Sequence, residues 1–527
     1  MHPRNIYLHK APDFQELAET YPELKRHLVH STTNPGTAAI DFRNDESQRC
    51  LTKALLHRDF GLKLEVPSNR LCPPVPNRLN YVLWIQDIVQ NTHLIESLCL
   101  SNFEKENAGI DPWNRKENLD QVRGVDIGTG ASVIYPLLIC SLEPTWTMYA
   151  SEIDDLSLSY ARNNVESNQL QGRINLVNSS GSFGDSDAGK PILWPLFLHE
   201  DVLFDFTMCN PPFYSSTEEV SKSAQGKAFE PNAVCTGADT EMITPGGETE
   251  FVSCMIKESI QIQTRCKWFT SMLGKLSSVE EVVRLLKELR VENYAITEFV
   301  QGQTRRWAVG WSFMDIRLPD SISRIPSPNP TIQRCLPQHN TIQQPVLLHM
   351  IKSTSKEDSQ SITERLGKMI KEVLGAVDKA VFREVRGGKS VIKIVTSGEE
   401  QESQWQSYFV VRMKEDTWSR NARRRRKRQQ QQQQLQTPEH LKGADRMTVD
   451  DDDFTQDSVI TGEDGRSANG IGCTIHLGMK ARERGPAEEQ SKEEILIEFH
   501  WRWGREEDRG LFQSFCSHVS RKLFTTG

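Results

Sequence analysis

Three short stretches carry residue types that can do chemistry together. In Val125-Asp126-Ile127-Gly128-Thr129-Gly130, an apolar run enters a glycine-rich turn. Glycine lets backbone approach a ligand closely, and open α/β sheets bind ligands in the crevice beyond their strand ends. Asp126, Gly128 and Gly130 are candidate ligand contacts. A dinucleotide fingerprint needs a third glycine at position 133, where Val133 stands, which argues against a dinucleotide oxidoreductase. The second stretch, WTMYASEI, ends near Glu152. A carboxylate at that strand end can accept hydrogen bonds from both hydroxyls of a ribose, while Asp154 and Asp155 suit the start of the following helix. The third stretch is Asn210-Pro211-Pro212-Phe213-Tyr214, directly after the apolar run FDFTMC. Neither proline can donate to a ladder, so a strand must end there.

The pairing of D-x-G-x-G with N-P-P-F/Y at the ends of the first and fourth strands resembles the class I S-adenosylmethionine-dependent amino-methyltransferases. These act on adenine, cytosine or glutamine nitrogen. The residue types suit that chemistry. An exocyclic amine is a poor nucleophile, because its lone pair is delocalised into the ring. The Asn210 side-chain oxygen and the Pro211 carbonyl can each accept one N–H, which turns the lone pair toward an electrophilic methyl group. Pro211 and Pro212 fix the backbone, so the acceptors are preorganised. Phe213 or Tyr214 can stack on the base. No strong base is required, since proton loss can follow methyl transfer.

The elements that must position these residues follow from periodicity. Residues 12 to 95 read as mainly helical: Phe14, Leu17, Tyr21, Leu24 and Leu28 recur at helical spacing, followed by helices around Leu51–Leu56 and Tyr81–Ile88. From about 121 to 313, strand and helix patterns alternate, which predicts a parallel doubly wound sheet closed by a hairpin of YAITEFVQ and RWAVGWSF. Residues 316–345 are rich in Pro and Ser and read as a linker. Residues 346–415 and 469–527 read as one small α+β domain. Between them, residues 416–468 carry RRRRKR, six glutamines and four aspartates, a composition expected to stay disordered. The fold class expected is therefore α/β: a Rossmann-like methyltransferase domain over residues 96–315, a helical extension over 1–95 and a split C-terminal domain.

Composition bounds the partners. The 527 residues have a net charge of -8, so the total implies no general affinity for nucleic acid, although the charge is unevenly spread. Eleven cysteines are scattered without C-x-x-C or zinc-ligand spacing, so reduced thiols and no metal are expected. No apolar leader or run of ~18 apolar residues occurs, so neither secretion nor membrane insertion is expected.

Across the first 315 residues the motifs VPNRLNYVLWIQD, VDIGTGASVIYPLL, CNPPFY, GGETEFV, MLGK and EFVQGQTRRWAVGWSF occur in that order. Together they resemble the methyltransferase-like protein 16 family of RNA N6-adenosine methyltransferases, which modify U6 small nuclear RNA. Bacterial relatives methylate ribosomal RNA. The resemblance implies S-adenosylmethionine as cofactor and a structured RNA as partner, U6 small nuclear RNA first and ribosomal RNA second. It implies that Arg78, Gly128, Ser132, Glu152 and Asn210 contact cofactor or target. Arg78 would hold the methionine carboxylate through its forked donors. A further cofactor residue falls within Asn178 to Asp185. Arg43, Lys53, Arg58, Tyr214, Arg305 and Arg306 are candidate RNA contacts. The C-terminal domain more loosely resembles an RNA-binding region of that family. RRRRKR reads as a nuclear localisation signal or an RNA-gripping arm, and the compartment expected is the nucleus, with the cytoplasm second. Two rivals remain: methylation of another amine, in DNA or protein, and a silent RNA-binding factor, which the intact NPPFY disfavours.

Overall fold

The computed structural model describes residues 1–30, 38–100, 121–181, 190–220, 237–302, 304–346, 359–386, 407–413, 415–435, 471–481 and 493–525. These fall into two compact units that divide between Asn340 and Thr341.

The first unit is built on a seven-stranded sheet. Its strands are β1 (Arg123–Ile127), β2 (Thr147–Glu152), β3 (Ile174–Asn178), β4 (Phe204–Cys209), β5 (Cys266–Leu273), β6 (Tyr294–Gln301) and β7 (Thr304–Trp311). They lie in the order β3-β2-β1-β4-β5-β7-β6. The first five run parallel. β7 inserts antiparallel between β5 and β6, so the sheet is mixed and not wholly parallel. β4 and β5 are buried along their entire length, which explains their continuous apolar sequence.

The longer helices that flank or enter this frame among the described residues are α1 (Asp45–Phe60), α2 (Val75–Leu100), α3 (Ile134–Leu142), α4 (Asp155–Ser167), α5 (Gly247–Ile262) and α6 (Leu276–Glu288). α1 starts where the Asn44 side chain accepts from Ser47 N–H and stops where Gly61 takes φ +67°. The periodic run from Phe14 is helical only to Thr20; Pro22 then opens a 3-10 turn to His27. α2 is apolar around most of its circumference and is buried accordingly, with Tyr81, Val82, Trp84, Ile85 and Ile88 all inside. Tyr81 Oη lies 2.6 Å from Thr270 Oγ1 on β5, and Trp84 Nε1 donates to Ile322 O at 3.1 Å. The N-terminal helices thus share one core with the sheet, and the expected boundary at residue 95 falls inside α2.

The expected linker is also revised. Ile316, Leu318, Ile325, Ile332 and Cys335 are buried against the first unit, and Tyr294 Oη donates to Cys335 O at 3.1 Å. Apolar residues spaced among the prolines pin this segment down. Only Thr341–Pro345 leaves it, as strand β8 of the second unit.

The second unit is a five-stranded antiparallel sheet of β8, β9 (Ala380–Arg386), β10 (Ser407–Met413), β11 (Ile471–Ala481) and β12 (Glu493–Trp503), in the order β8-β12-β11-β10-β9. Helices α7 (Ser359–Gly375) and α9 (Arg509–Thr525) share its core, where Trp501 stacks on Phe512 with ring centres 5.9 Å apart. The Arg/Gln run forms helix α8 (Arg420–Leu435), contrary to the disorder expected there. Ser419 Oγ accepts from Ala422 N–H, and the neighbouring Trp418 is buried against Phe515. Residues 436–468 of that insertion lie outside the described residues. The IKIVTS half of the expected hairpin after Gly388 does too; β9 pairs instead with β10.

Candidate active site

Register brings the three sequence signals to one edge. Ile127 of β1 lies opposite Ser151 of β2 and Cys209 of β4. The next residues, Gly128, Glu152 and Asn210, therefore emerge together, at the point where strand order reverses across the sheet. A cavity of about 250 Å³ opens there, walled by Arg78, Gly128, Gly130, Ser132, Glu152, Asn210, Pro211 and Pro212, and by Thr240, Glu241 and Ile243–Pro245.

The glycine-rich turn is shaped for a ligand. Gly128 has φ +69°, and nothing lies within 4 Å of where a Cβ would stand. Val133 occupies the left-handed region at φ 44°, ψ 37°. A β-branched residue there costs on the order of 1–3 kcal/mol. The backbone thus adopts the conformation a glycine would favour, without the glycine.

Charged groups around the cavity are unevenly matched. Asp126 is 1% exposed; one oxygen accepts from Thr129 Oγ1 at 2.7 Å and the other, Oδ1, has no hydrogen-bond partner among the described residues. Burial, with a contribution from the Glu152 charge, pushes its carboxyl up to about 7. Glu152 accepts from Gly130, Ile153 and Asp154 N–H at 2.8, 2.9 and 3.0 Å. A carboxylate has about four acceptor positions, so room remains for a ribose hydroxyl. Burial raises its pKa, and the three N–H groups pull it back. Asp154 caps α4 by accepting from Ser157 N–H, as its position predicts. Arg78 is buried, donates to Tyr135 Oη at 3.3 Å, and has no carboxylate paired with it among the described residues. A buried guanidinium without an anion is costly, so this one is matched to an anionic ligand group.

At the other side of the site, Asn210 Oδ1 is buried with no hydrogen-bond partner among the described residues. Phe213 has the Arg306 guanidinium 5.4 Å from its ring centre. Burial, then the nearby Arg78 charge, lowers the Arg306 pKa. Lys275 sits 5.7 Å from the centre of the Tyr214 ring and pairs with Glu219. Gly274 is needed for close approach, since a Cβ would meet Phe213 Cδ1 at 3.0 Å.

Two residues that sequence reasoning passed over organise this wall. Glu248, 1% exposed, accepts from Gly274 and Lys275 N–H at 2.6 and 2.9 Å and so fixes the turn beneath Phe213. In sequence it stood inside the GGETEFV motif, with no role attached to it. Glu241 accepts from Leu71 and Ala238 N–H. Ser179, just after β3, lines the cavity and falls within the span Asn178 to Asp185 where a cofactor residue was expected.

The basic candidates divide. Arg306 reaches Phe213, whereas Arg43, Lys53, Arg58 and Arg305 do not line the cavity. Lys53 pairs with Glu65 at 2.7 Å, Arg58 with Asp59 at 2.6 Å and Arg305 with Glu298 at 3.1 Å. Arg43 is exposed.

A model of the RNA methyltransferase family matches residues 1–104 and 110–315 of this chain. The chain belongs to that family. Among its relatives, a Danio rerio protein named RNA N(6)-adenosine-methyltransferase mettl16 is 30% identical over 99% of this chain and 97% of its own length. A Dictyostelium discoideum U6 small nuclear RNA (adenine-(43)-N(6))-methyltransferase is 32% identical over 60% of this chain and 55% of its own. A crystal structure of the hMettl16 catalytic domain in complex with MAT2A 3'UTR hairpin 1 is 36% identical at a TM-score of 0.50. That match covers 62% of this chain and 99% of that one. As an RNA methyltransferase dependent on S-adenosylmethionine, the enzyme must hold cofactor and target amine at one edge. That is where its glycine turn, Glu152 and Asn210 meet.

Proposed function

We propose that the enzyme transfers a methyl group from S-adenosylmethionine to N6 of an adenosine in a structured RNA, with U6 small nuclear RNA as the leading target. One observation carries this most: an orphaned, buried Asn210 Oδ1 at the edge where the cofactor-type residues converge.

The residues present fit the cofactor. Arg78 lacks a carboxylate partner, Gly128 has open space where a Cβ would stand, and Glu152 keeps acceptor capacity. Arg78 would hold the methionine carboxylate, Glu152 the ribose, and the Gly128–Gly130 turn the adjoining backbone contact. When bound, S-adenosylmethionine supplies a methyl group on a positively charged sulfur.

The chain's own part is positioning. Asn210 Oδ1 accepts one N6–H and the Pro211 carbonyl the other. This holds the nitrogen lone pair out of conjugation. Phe213 stacks the extruded base, and Arg306 on that ring suits the phosphate beside it. The proton leaves to solvent after transfer. Near-attack positioning of this kind is worth up to ~7–11 kcal/mol in favourable cases.

The names of the relatives support the RNA target, and the relatives named U6 small nuclear RNA (adenine-(43)-N(6))-methyltransferase from Dictyostelium discoideum, Schizosaccharomyces pombe and Drosophila melanogaster support the choice of U6. The test uses purified enzyme with labelled cofactor and a U6-type hairpin, beside ribosomal RNA, DNA and protein controls. N6-methyladenosine in the nucleoside digest of the hairpin is the expected result. Label found only on protein or DNA would overturn the reading. The Arg423–Arg428 run supports a nuclear location, and a fluorescent fusion confined to the cytoplasm would count against it.

A further inference from the structure

Two carboxylates bracket Gly130. Glu152 Oε2 accepts its N–H at 2.8 Å, and Glu241 Oε1 lies 3.5 Å from where a Cβ on Gly130 would stand. Both side chains wall the same cavity. Glu241 is held there by its other oxygen, Oε2, which accepts from Leu71 N–H and Ala238 N–H, both at 2.9 Å. Leu71, Thr240 and Ile243–Pro245 also wall the cavity, so one carboxylate joins two of its segments. Glu152 and Glu241 are the two carboxylates among its lining residues, Asp126 is buried nearby, and Arg78 is the guanidinium among the lining residues. Such crowding of like charge is unfavourable until a cation enters it.

We propose that Glu241 is a cofactor-binding residue whose charge selects S-adenosylmethionine over its demethylated product, S-adenosylhomocysteine. The inference rests on the methyltransfer reading above. The chemistry of the two ligands makes the choice. S-adenosylmethionine carries a sulfonium, an ammonium and a carboxylate, net +1. Once the methyl group leaves, the sulfur is a neutral thioether and the product is net zero. An acidic wall therefore loses its attraction to the ligand in the same step that completes the reaction, which favours product release and limits product inhibition. The Glu241 charge already acts on this space: after burial, it adds to the upward push on the Glu152 carboxyl.

Glu241→Gln separates charge from geometry. The amide oxygen can still accept from Leu71 and Ala238 N–H, but the negative charge is gone. Glu241→Ala removes both. Calorimetric titration of the full chain with each nucleoside, without RNA, reads the result directly. For Glu241→Gln, S-adenosylmethionine should bind about tenfold more weakly, while S-adenosylhomocysteine changes less than about twofold. Glu241→Ala should weaken both. In the unaltered protein, sinefungin, which carries an ammonium where the sulfonium stands, should bind more tightly than S-adenosylhomocysteine. That measurement stands even if the variants fail to fold. An unchanged affinity ratio in Glu241→Gln, or equal binding of sinefungin and S-adenosylhomocysteine, overturns this assignment alone. Failure of the unaltered protein to bind either cofactor form would overturn the methyltransferase reading and this assignment with it.

Discussion

Asn210→Ala should make the protein no less stable while nearly abolishing its chemistry. The reasoning starts from an unpaired atom. Asn210 Oδ1 is buried without a donor, and a buried acceptor left unsatisfied costs about 1–3 kcal/mol. Folding tolerates that cost because the acceptor is reserved for an N–H that arrives with the substrate. Truncation removes the orphan and, with it, the penalty. Some packing is lost, but Asn210 is only partly buried, so the two terms nearly cancel. In a unit spanning Met1–Asn340, 1 kcal/mol moves the melting temperature by only about 1–2 °C. The cofactor-free variant should therefore melt within ~2 °C of the parent, or slightly above it. Catalysis moves the other way. Loss of one preorganised group at a reacting centre costs roughly 10²–10³ in rate, about 2.7–4 kcal/mol. The Pro211 carbonyl is left to hold one N–H alone. Single-turnover methylation of an RNA hairpin, paired with a thermal melt and an RNA-binding titration, gives all three values. RNA affinity should be unchanged. A rate within tenfold of the parent, or a melting temperature lowered by more than ~5 °C, would show that Asn210 supports the fold and not the amine.

Two further predictions concern buried charge. Asp126 titrates near 7 in the folded state against an ordinary 3.8, so between about pH 4 and 7 the native protein binds more protons than the unfolded chain. Stability of the cofactor-free enzyme should fall as pH rises through that window and level off above it. Asp126→Asn should flatten this slope and gain up to a few kcal/mol at pH 8; melting curves with the same slope in variant and parent would contradict the assignment. Far from the cavity, the Lys267 ammonium lies 2.8 Å from Glu96 and 3.1 Å from Asp205, and its side chain is 5% exposed. Lys267→Met strands the buried Glu96 carboxylate, while Asp205 keeps His93 at 2.9 Å and the Arg123 N–H at 2.9 Å, and should cost about 3–5 kcal/mol in denaturant unfolding. A loss below about 1 kcal/mol would mean the pair is not what ties α2 to the start of β5.

The residues proposed to do the chemistry were legible in the chain because each sits at a point of local grammar. A glycine turn, an acid and a double proline each end an apolar run, and short spacing along one strand needs no tertiary knowledge. Alternating apolar runs were likewise enough to announce an α/β sheet, since buried parallel strands need continuous apolar sequence. Order among the strands was not legible. That β7 slips between β5 and β6 depends on pairing over long separations, which no local pattern records. The same holds for residues 316–340, whose prolines read as a linker although their scattered isoleucines are buried in the first unit. Helix α8 escaped for a related reason: its composition is polar, but Trp418 at its base is anchored against Phe515. The basic candidates show the limit most clearly. Arg43, Lys53, Arg58, Arg305 and Arg306 look alike in sequence, yet only Arg306 stacks on Phe213 while Lys53, Arg58 and Arg305 are paired with acids. Glu241 and Glu248 gave almost no signal, because what they do is accept from backbone N–H groups of distant segments. The chain by itself determined which chemistry is present and at which strand ends it lies. Only the tertiary structure decided which charges face the cavity and which are already matched, because burial and pairing are properties of neighbours in space.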